Sequence, residues 1–278
     1  MAPTFVLVHG SNATSRGFSA LQRELALRGH RSLAVDLPGH GTAGFSVAYQ
    51  AQDLATFATE PSPLAGITHA DAVASVTDVV RQVREHGDVV LVGHSRGGLT
   101  VTSVANAVPE LLARTVYVSA WCCVDGTPAD YLQNPAYSSP ALAEAAKVLA
   151  GDPAQLGAIR MNWRSADPAH LAALKQALLA DGTEAELLSF LAGMDPDETL
   201  DAGNDRAAAD TWGRVPHTYV RLTRDESLPL ALQDRFIEEA DALTPANPFD
   251  VHSLDASHVG PLVRAGELAS VLAGLTLR

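Results

Sequence analysis

The sequence predicts an α/β protein, a doubly wound and mostly parallel sheet of about six strands with helices on both faces. Three observations carry this. Short aliphatic runs recur along the chain, helical patterns stand between them, and glycines such as Gly29 and Gly87 punctuate the helix ends. Most telling is Val89-Val90-Leu91-Val92, which leads into Gly93-His94-Ser95-Arg96-Gly97 and then into an Ala/Val/Leu-rich helical pattern. Four apolar residues in a row, without alternation, suit a strand covered on both faces.

Strands are expected over 4–8, 32–36, 88–92, 114–119, 216–222 and 249–254, with helices over 15–28, 69–86, 99–107 and 266–275. Between the fourth and fifth strands lies a long helical insertion. Asp125-Gly126-Thr127-Pro128 and Gly213-Arg214-Val215-Pro216 mark its limits. Amphipathic stretches at 141–150, 168–180 and 184–191 are broken there by Gly151-Asp152-Pro153 and Asp195-Pro196-Asp197. The organisation expected is a core of 1–124 and 213–278, with 125–212 as a helical cap over the site-bearing end of the sheet. Caps exclude water and shape pockets. Trp121, Tyr131, Met161, Trp163, Phe190 and Met194 are the candidates for the cap-side lining, with Asn12 from the core.

Strand, tight turn and helix around Gly93–Gly97 form the setting in which a nucleophilic serine is presented at the end of a sheet. Gly93 and Gly97 suit a turn with no room for side chains beside Ser95, and Gly98 would let the helix pack close. A serine hydroxyl needs a base, and the base needs an orienting acid. His258 follows the last strand in Asp255-Ala256-Ser257-His258, where the base belongs. Asp225, in Thr223-Arg224-Asp225-Glu226 after the fifth strand, is the acid expected, with Asp125 as its rival. Glu226 adjoins Asp225, and Asp255 is too near His258 in sequence to reach the far ring nitrogen comfortably.

Composition bounds the class. The 278 residues suit one catalytic domain with an insertion, or two small domains, and 47% hydrophobic with 18% charged residues suit a folded core. A net charge of −13 repels phosphate backbones and anionic lipid surfaces, so nucleic-acid and membrane roles are not expected. Met1 to Thr4 run straight into the first strand, leaving no visible secretion signal, and no run approaches a membrane span. Cys122 and Cys123 are adjacent, and two reduced thiols in a cytoplasmic protein are the plain reading. No His/Cys cluster has metal-binding spacing and no Gly-x-Gly-x-x-Gly follows the first strand, so neither metal nor organic cofactor is expected. Oligomeric state is not legible.

The chain resembles the α/β-hydrolase superfamily, in particular the small esterase-like branch that includes plant methylesterases and hydroxynitrile lyases. The matching residues are Phe5-Val6-Leu7-Val8-His9-Gly10, Asp36-Leu37-Pro38-Gly39-His40-Gly41, Gly93-His94-Ser95-Arg96-Gly97-Gly98, Thr223-Arg224-Asp225-Glu226 with Leu228-Pro229 and Gln233, and Ala256-Ser257-His258. The order Ser95…Asp225…His258 is that of this superfamily. The resemblance implies that the first strand here is the third of the full fold, so two antiparallel N-terminal strands should be missing. Lyases of this branch carry a threonine after the first motif's histidine and a lysine after the catalytic histidine. Gly10 and Val259 stand at those places, which favours hydrolysis.

Attack on a carbonyl builds charge on its oxygen, for which two backbone N–H donors are expected, those of Ser11 and Arg96, with Asn12 as the fallback. The Arg96 side chain reads either as a binder of an acidic substrate group or as a salt bridge under the cap. His9, His40 and His94 read as hydrogen-bonders that fix loops. The reaction expected is hydrolysis of an ester, lactone or thioester of a small to medium, mainly apolar substrate through an acyl-enzyme. Elimination, cyclisation or C–C cleavage by the same triad, or a non-catalytic small-molecule receptor, are the alternatives.

Overall fold

The computed structural model describes residues 3–137, 143–144 and 149–276. Its six-stranded sheet runs β2-β1-β3-β4-β7-β8, formed by Thr4–Val8 (β1), Arg31–Val35 (β2), Val89–Ser95 (β3), Arg114–Ala120 (β4), His217–Leu222 (β7) and Asp250–Leu254 (β8). Every pairing in that sheet is parallel, so the expected "mostly parallel" sheet is parallel throughout its described strands. Among the described residues β1 is the first strand in sequence.

Alternation along the strands builds two cores. Phe5, Leu7, Val90, Val92, Val116 and Val118 face one way, against Leu21 and Leu25 of the Ser19–Leu27 helix and Leu268 and Leu272 of the Gly266–Ala273 helix. Val6, Val8, Leu91 and Tyr117 face the other, against Val76, Val80, Val101, Val104, Leu232 and Phe236. The first of these helices on the second face, His69–Arg84, begins with a Thr68/Asp71 capping box and buries Ala72, Val76 and Val80 at intervals of four. Next comes Gly97–Ala107, which lies so close that a Cβ on Gly98 would stand 2.2 Å from the Trp121 carbonyl oxygen. The third, Leu230–Leu243, was not expected from the sequence, although Leu232, Phe236 and Ala240 mark its buried stripe. From it Gln233 reaches the end of β7: its Oε1 accepts the Leu222 N–H at 2.9 Å and its Nε2 donates to Leu228 O at 2.8 Å.

The insertion carries helices Pro168–Leu179 and Glu184–Leu191 and an antiparallel pair, Ala158–Arg160 (β5) with Asp197–Thr199 (β6). These two short strands were not expected, because three residues show no alternation long enough to read. The expected 141–150 stretch lies largely outside the described residues; Leu149 bridges to Met161. Two further helices, Val47–Ala51 and Leu54–Phe57, come from the segment after β2 and join the insertion's apolar cluster through Ala48, Tyr49 and Phe57. Arg160, 1% exposed, staples the two parts. It donates to Asp197 at 2.6 and 2.7 Å, to the Glu60 carbonyl at 2.8 Å and to the Phe57 carbonyl, and lies over the Phe57 ring. No helix among the described residues is long and apolar enough to cross a membrane.

Removing Asp197 leaves the buried Arg160 charge without its bidentate partner. Asp197→Ala is therefore expected to cost about 3–5 kcal/mol in urea unfolding, while Arg160→Met combined with Asp197→Leu costs much less. An Asp197→Ala midpoint equal to wild type would contradict the staple.

Candidate active site

Strand order reverses on either side of β1, and the crevice outside the carboxyl ends of β1 and β3 is where open α/β sheets place their ligands. Ser95 stands there, at the end of β3. Its φ is +54°, a conformation that costs a residue with a side chain about 1–2 kcal/mol. The crowding of the turn leaves no alternative. A Cβ on Gly97 would meet the Val8 carbonyl oxygen at 2.5 Å, and one on Gly93 would meet Val101 Cγ2 at 2.8 Å. The serine is thus the one side chain pushed out of the turn.

Three side chains that lie far apart in sequence come together at this point. Ser95 Oγ lies 3.0 Å from His258 Nε2, and His258 Nδ1 lies 2.6 Å from Asp225 Oδ2. A carboxylate only accepts, so Nδ1 carries the proton and Nε2 is left to accept from the serine. Asp225 is buried, and its Oδ1 takes the N–H groups of Ser227 and Leu228 at 2.7 and 2.8 Å. The rival acids lie elsewhere. Asp125 is exposed beside the Tyr131 hydroxyl, Glu226 is exposed, and Asp255 is exposed with Arg224 at 3.9 Å.

Sequence reasoning missed Ser119. Its hydroxyl donates to Asp225 Oδ2 at 2.6 Å, and it is fully buried at a φ of +38° near the end of β4. The available signal was a lone hydroxyl inside the otherwise apolar run Val116-Tyr117-Val118-Ser119-Ala120.

The other histidines hold loops. His94 Nε2 donates to the His258 carbonyl at 2.9 Å, with the two rings 4.6 Å apart. Burial, with the neighbouring His258 adding to it, lowers the His94 pKa to about 3. His9 Nδ1 donates to Gly10 O at 2.9 Å while its Nε2 accepts the Leu37 N–H at 3.1 Å, and burial with the adjacent His40 lowers it to about 4. His40 faces the carboxylate of Glu198 at 3.8 Å. Burial works against its charge, but Glu198 outweighs that and raises its pKa.

Ser11 and Arg96 both line the cavity, and neither backbone N–H has an acceptor among the described residues. Asn12 does not serve as the fallback. Its N–H donates to Glu198 Oε2 at 2.8 Å, and its side-chain amide donates to Pro196 O at 3.1 Å. The Arg96 guanidinium turns under the insertion to the carbonyls of Thr199 and Asp201, with Glu198 at 3.9 Å, so it takes the role of a salt bridge under the cap.

Above Ser95 opens a cavity of about 370 Å³. Trp121, Met161, Trp163, Phe190 and Met194 line it as expected, joined by Leu99, Ile159, Leu174 and Leu178, with Asn12 at its edge. Tyr131 is a correction. Its ring packs on Phe236 at 4.9 Å, and its hydroxyl bonds to Glu239 and to the Val124 and Asp125 N–H groups, outside the cavity. Among the described lining residues Arg96 is the one formally charged side chain, and its guanidinium is engaged as above. No group of three or more potential metal ligands gathers among the described residues.

A model of the α/β hydrolase family matches residues 5–271. Pyrethroid hydrolase of Sphingobium wenxiniae is 23% identical over 268 residues, covering 96% of this chain and 85% of that protein. Methylesterase 17 of Arabidopsis thaliana is 28% identical over 128 residues, 46% of this chain, and the match spans only 41% of the plant protein. Among solved structures, that of a pyrethroid hydrolase superposes with a TM-score of 0.72 at 21% identity, covering 98% of this chain and 96% of the other. Polyneuridine aldehyde esterase does so at 0.72 and 20%, covering 98% of each chain. At such identities the likeness is one of fold.

The buried groups around the site set an acid limit. His94 and His9 bind protons more weakly folded than unfolded, so between pH 6.5 and about 3–4 the unfolded state holds more protons. Glu198 acts in the same sense below pH 4.5. Burial opposes its charge, but His40, Arg96 and the Asn12 N–H outweigh it and lower its pKa to about 2. Stability thus rises with pH across this window. His40 has the opposite sign, its contribution being lost only above pH 6.5. Urea midpoints should fall progressively as pH drops from 6.5 to 4, and a flat profile there would contradict the neutral, buried state of these imidazoles.

Proposed function

Because the chain belongs to the α/β hydrolase family, we propose that it is a carboxylic ester hydrolase with Ser95 as nucleophile, His258 as base and Asp225 as acid. The observation that carries this reading is the continuous hydrogen-bonded chain from Ser95 through His258 to Asp225 at the floor of an apolar cavity. The relatives named methylesterase, pyrethroid hydrolase and esterase support ester hydrolysis as the class.

His258 takes the Ser95 proton as the hydroxyl attacks the carbonyl carbon. The oxygen of that carbonyl becomes an anion, held by the Ser11 and Arg96 N–H groups, each worth a few kcal/mol to the transition state. Asp225 keeps Nδ1 protonated and stabilises the imidazolium. The leaving alcohol then takes the proton from Nε2, and water, deprotonated by the same nitrogen, releases the acid from Ser95. No step calls for a metal or organic cofactor.

Cavity volume and lining define the substrate class. About 370 Å³ is near the small end of ligand pockets, which span about 300–1,000 Å³. Its apolar walls favour an uncharged ester, lactone or thioester of small to medium size. The two other imidazoles on the wall, His9 and His94, are committed to loop carbonyls, so proton transfer rests on His258. A net charge of −13 fits a small-molecule enzyme with no nucleic-acid or membrane partner, and the buried free thiols of Cys122 and Cys123 fit a cytoplasmic location.

Initial rates over p-nitrophenyl esters of rising acyl length test the reading. Wild type should show a length optimum, Ser95→Ala should abolish turnover, and Asp225→Asn should lower kcat by about 10⁴-fold, as the loss of a triad carboxylate does. Undetectable wild-type turnover across the series would sink it.

A further inference from the structure

One short stretch of the insertion, Asp195–Asp201 around β6, holds Arg96 and Asn12, the neighbour of Ser11, and so reaches both sides of the proposed oxyanion hole. On one side it grips the turn that carries Ser11. The Asn12 N–H donates to Glu198 Oε2 at 2.8 Å, the Asn12 side-chain amide donates to Pro196 O at 3.1 Å, and the Asp195 N–H donates back to Asn12 O at 2.8 Å. On the other side the Arg96 guanidinium donates to the Thr199 and Asp201 carbonyls and stands 3.9 Å from Glu198 Oε1.

Glu198 is the group common to both sides. It is 5% exposed, and its second oxygen accepts the Thr199 N–H at 2.8 Å. A buried carboxylate is retained only where donors or cations surround it, and here these are the Asn12 and Thr199 N–H groups, with His40 and Arg96 close by. Asn12 has a φ of +54°, a left-handed turn conformation that asparagine tolerates. The peptide that joins Ser11 to Asn12 is tied to Glu198 through the Asn12 N–H, and Ser11 itself lines the cavity.

We propose that Glu198 is a positioning residue for the oxyanion hole: by accepting the Asn12 N–H it fixes the Gly10–Asn12 turn, so that the hole is complete only when the insertion is seated on the core. The proposal rests on the ester-hydrolase reading and extends it. Glu198 touches no reacting atom, so its removal should spare ground-state binding and weaken what is specific to the tetrahedral state.

The test compares Glu198→Ala and Glu198→Gln with wild type on the best p-nitrophenyl ester, alongside inhibition by a trifluoromethyl ketone of matching chain length. Glu198→Ala should lower kcat by about 100-fold, near the effect of losing one oxyanion donor, with KM little changed. The ketone, which forms a tetrahedral adduct on Ser95, should lose affinity by a similar factor. Glu198→Gln, whose side-chain oxygen can still accept the Asn12 N–H, should recover most of the loss. If Glu198→Ala does not fold, Glu198→Asp takes its place. Its carboxylate keeps the charge but stands one methylene short of Asn12, so the kcat loss should persist.

A folded Glu198→Ala, or Glu198→Asp in its stead, with kcat within about threefold of wild type overturns the proposal, as does a loss confined to KM. Equal losses in Ala and Gln variants, tracking a lowered melting temperature, would also overturn it in favour of a purely structural role. If wild type itself neither turns over esters nor binds the ketone, the hydrolase reading falls first and the proposal falls with it.

Discussion

The site depends on one strained residue. Ser95 sits at positive φ between a strand that ends and a helix that begins, and the turn exists because nothing larger than hydrogen fits at Gly93 and Gly97. The neighbouring carbonyls of Val8 and His9 press on Gly97 from β1, so the geometry of the turn is imposed by the sheet and not by the serine. From that constraint follow the presentation of the half-buried Ser95 hydroxyl to the cavity and the start of the Gly97–Ala107 helix. The strain at such a position is of the order of 1–3 kcal/mol and is sustained by the packing of β1, β3 and β4 around it.

Electrostatics around the site obey local geometry and not the total charge. The chain is strongly acidic, yet the cavity wall is nearly uncharged, and the buried carboxylates each sit in a shell of donors. Asp225 takes hydrogen bonds from His258, Ser119 and two backbone N–H groups. Glu198 takes those of Asn12 and Thr199 with His40 and Arg96 close by. The two differ in what surrounds them. The first holds the His258 imidazole, and the second ties the Asn12 turn to the insertion.

Much of this was legible in the sequence because strong local signals agree with the fold. The six sheet strands lie within a few residues of their expected bounds, since aliphatic runs bounded by glycine or a polar loop have few other readings. Ser95, Asp225 and His258, which the structure brings within hydrogen-bond reach of one another, stand out in the sequence because each lies at the end of a strand or in the loop after it. What escaped depended on contacts distant in sequence. Nothing near Asn12 shows that its N–H belongs to Glu198, 186 residues on. Tyr131 carries an aromatic ring in the insertion but lies within reach of Phe236 and Glu239, so it turns to the core. The Leu230–Leu243 helix carries a regular stripe at Leu232, Phe236 and Ala240, which made it legible in the sequence although it is not among the expected helices. β5 and β6 are simply too short to show a period.

The Arg160 staple bears on how this architecture can be exchanged between relatives. The roof over the cavity is not one contiguous stretch of chain, since residues 47–60 supply part of its apolar cluster and two of the carbonyls that receive the guanidinium. A chimera that swapped 125–212 alone would bring in a foreign underside against a native Phe57 and Glu60. The natural module for recombination is therefore bipartite, and a graft meant to transfer substrate preference has to carry the segment after β2 along with the insertion.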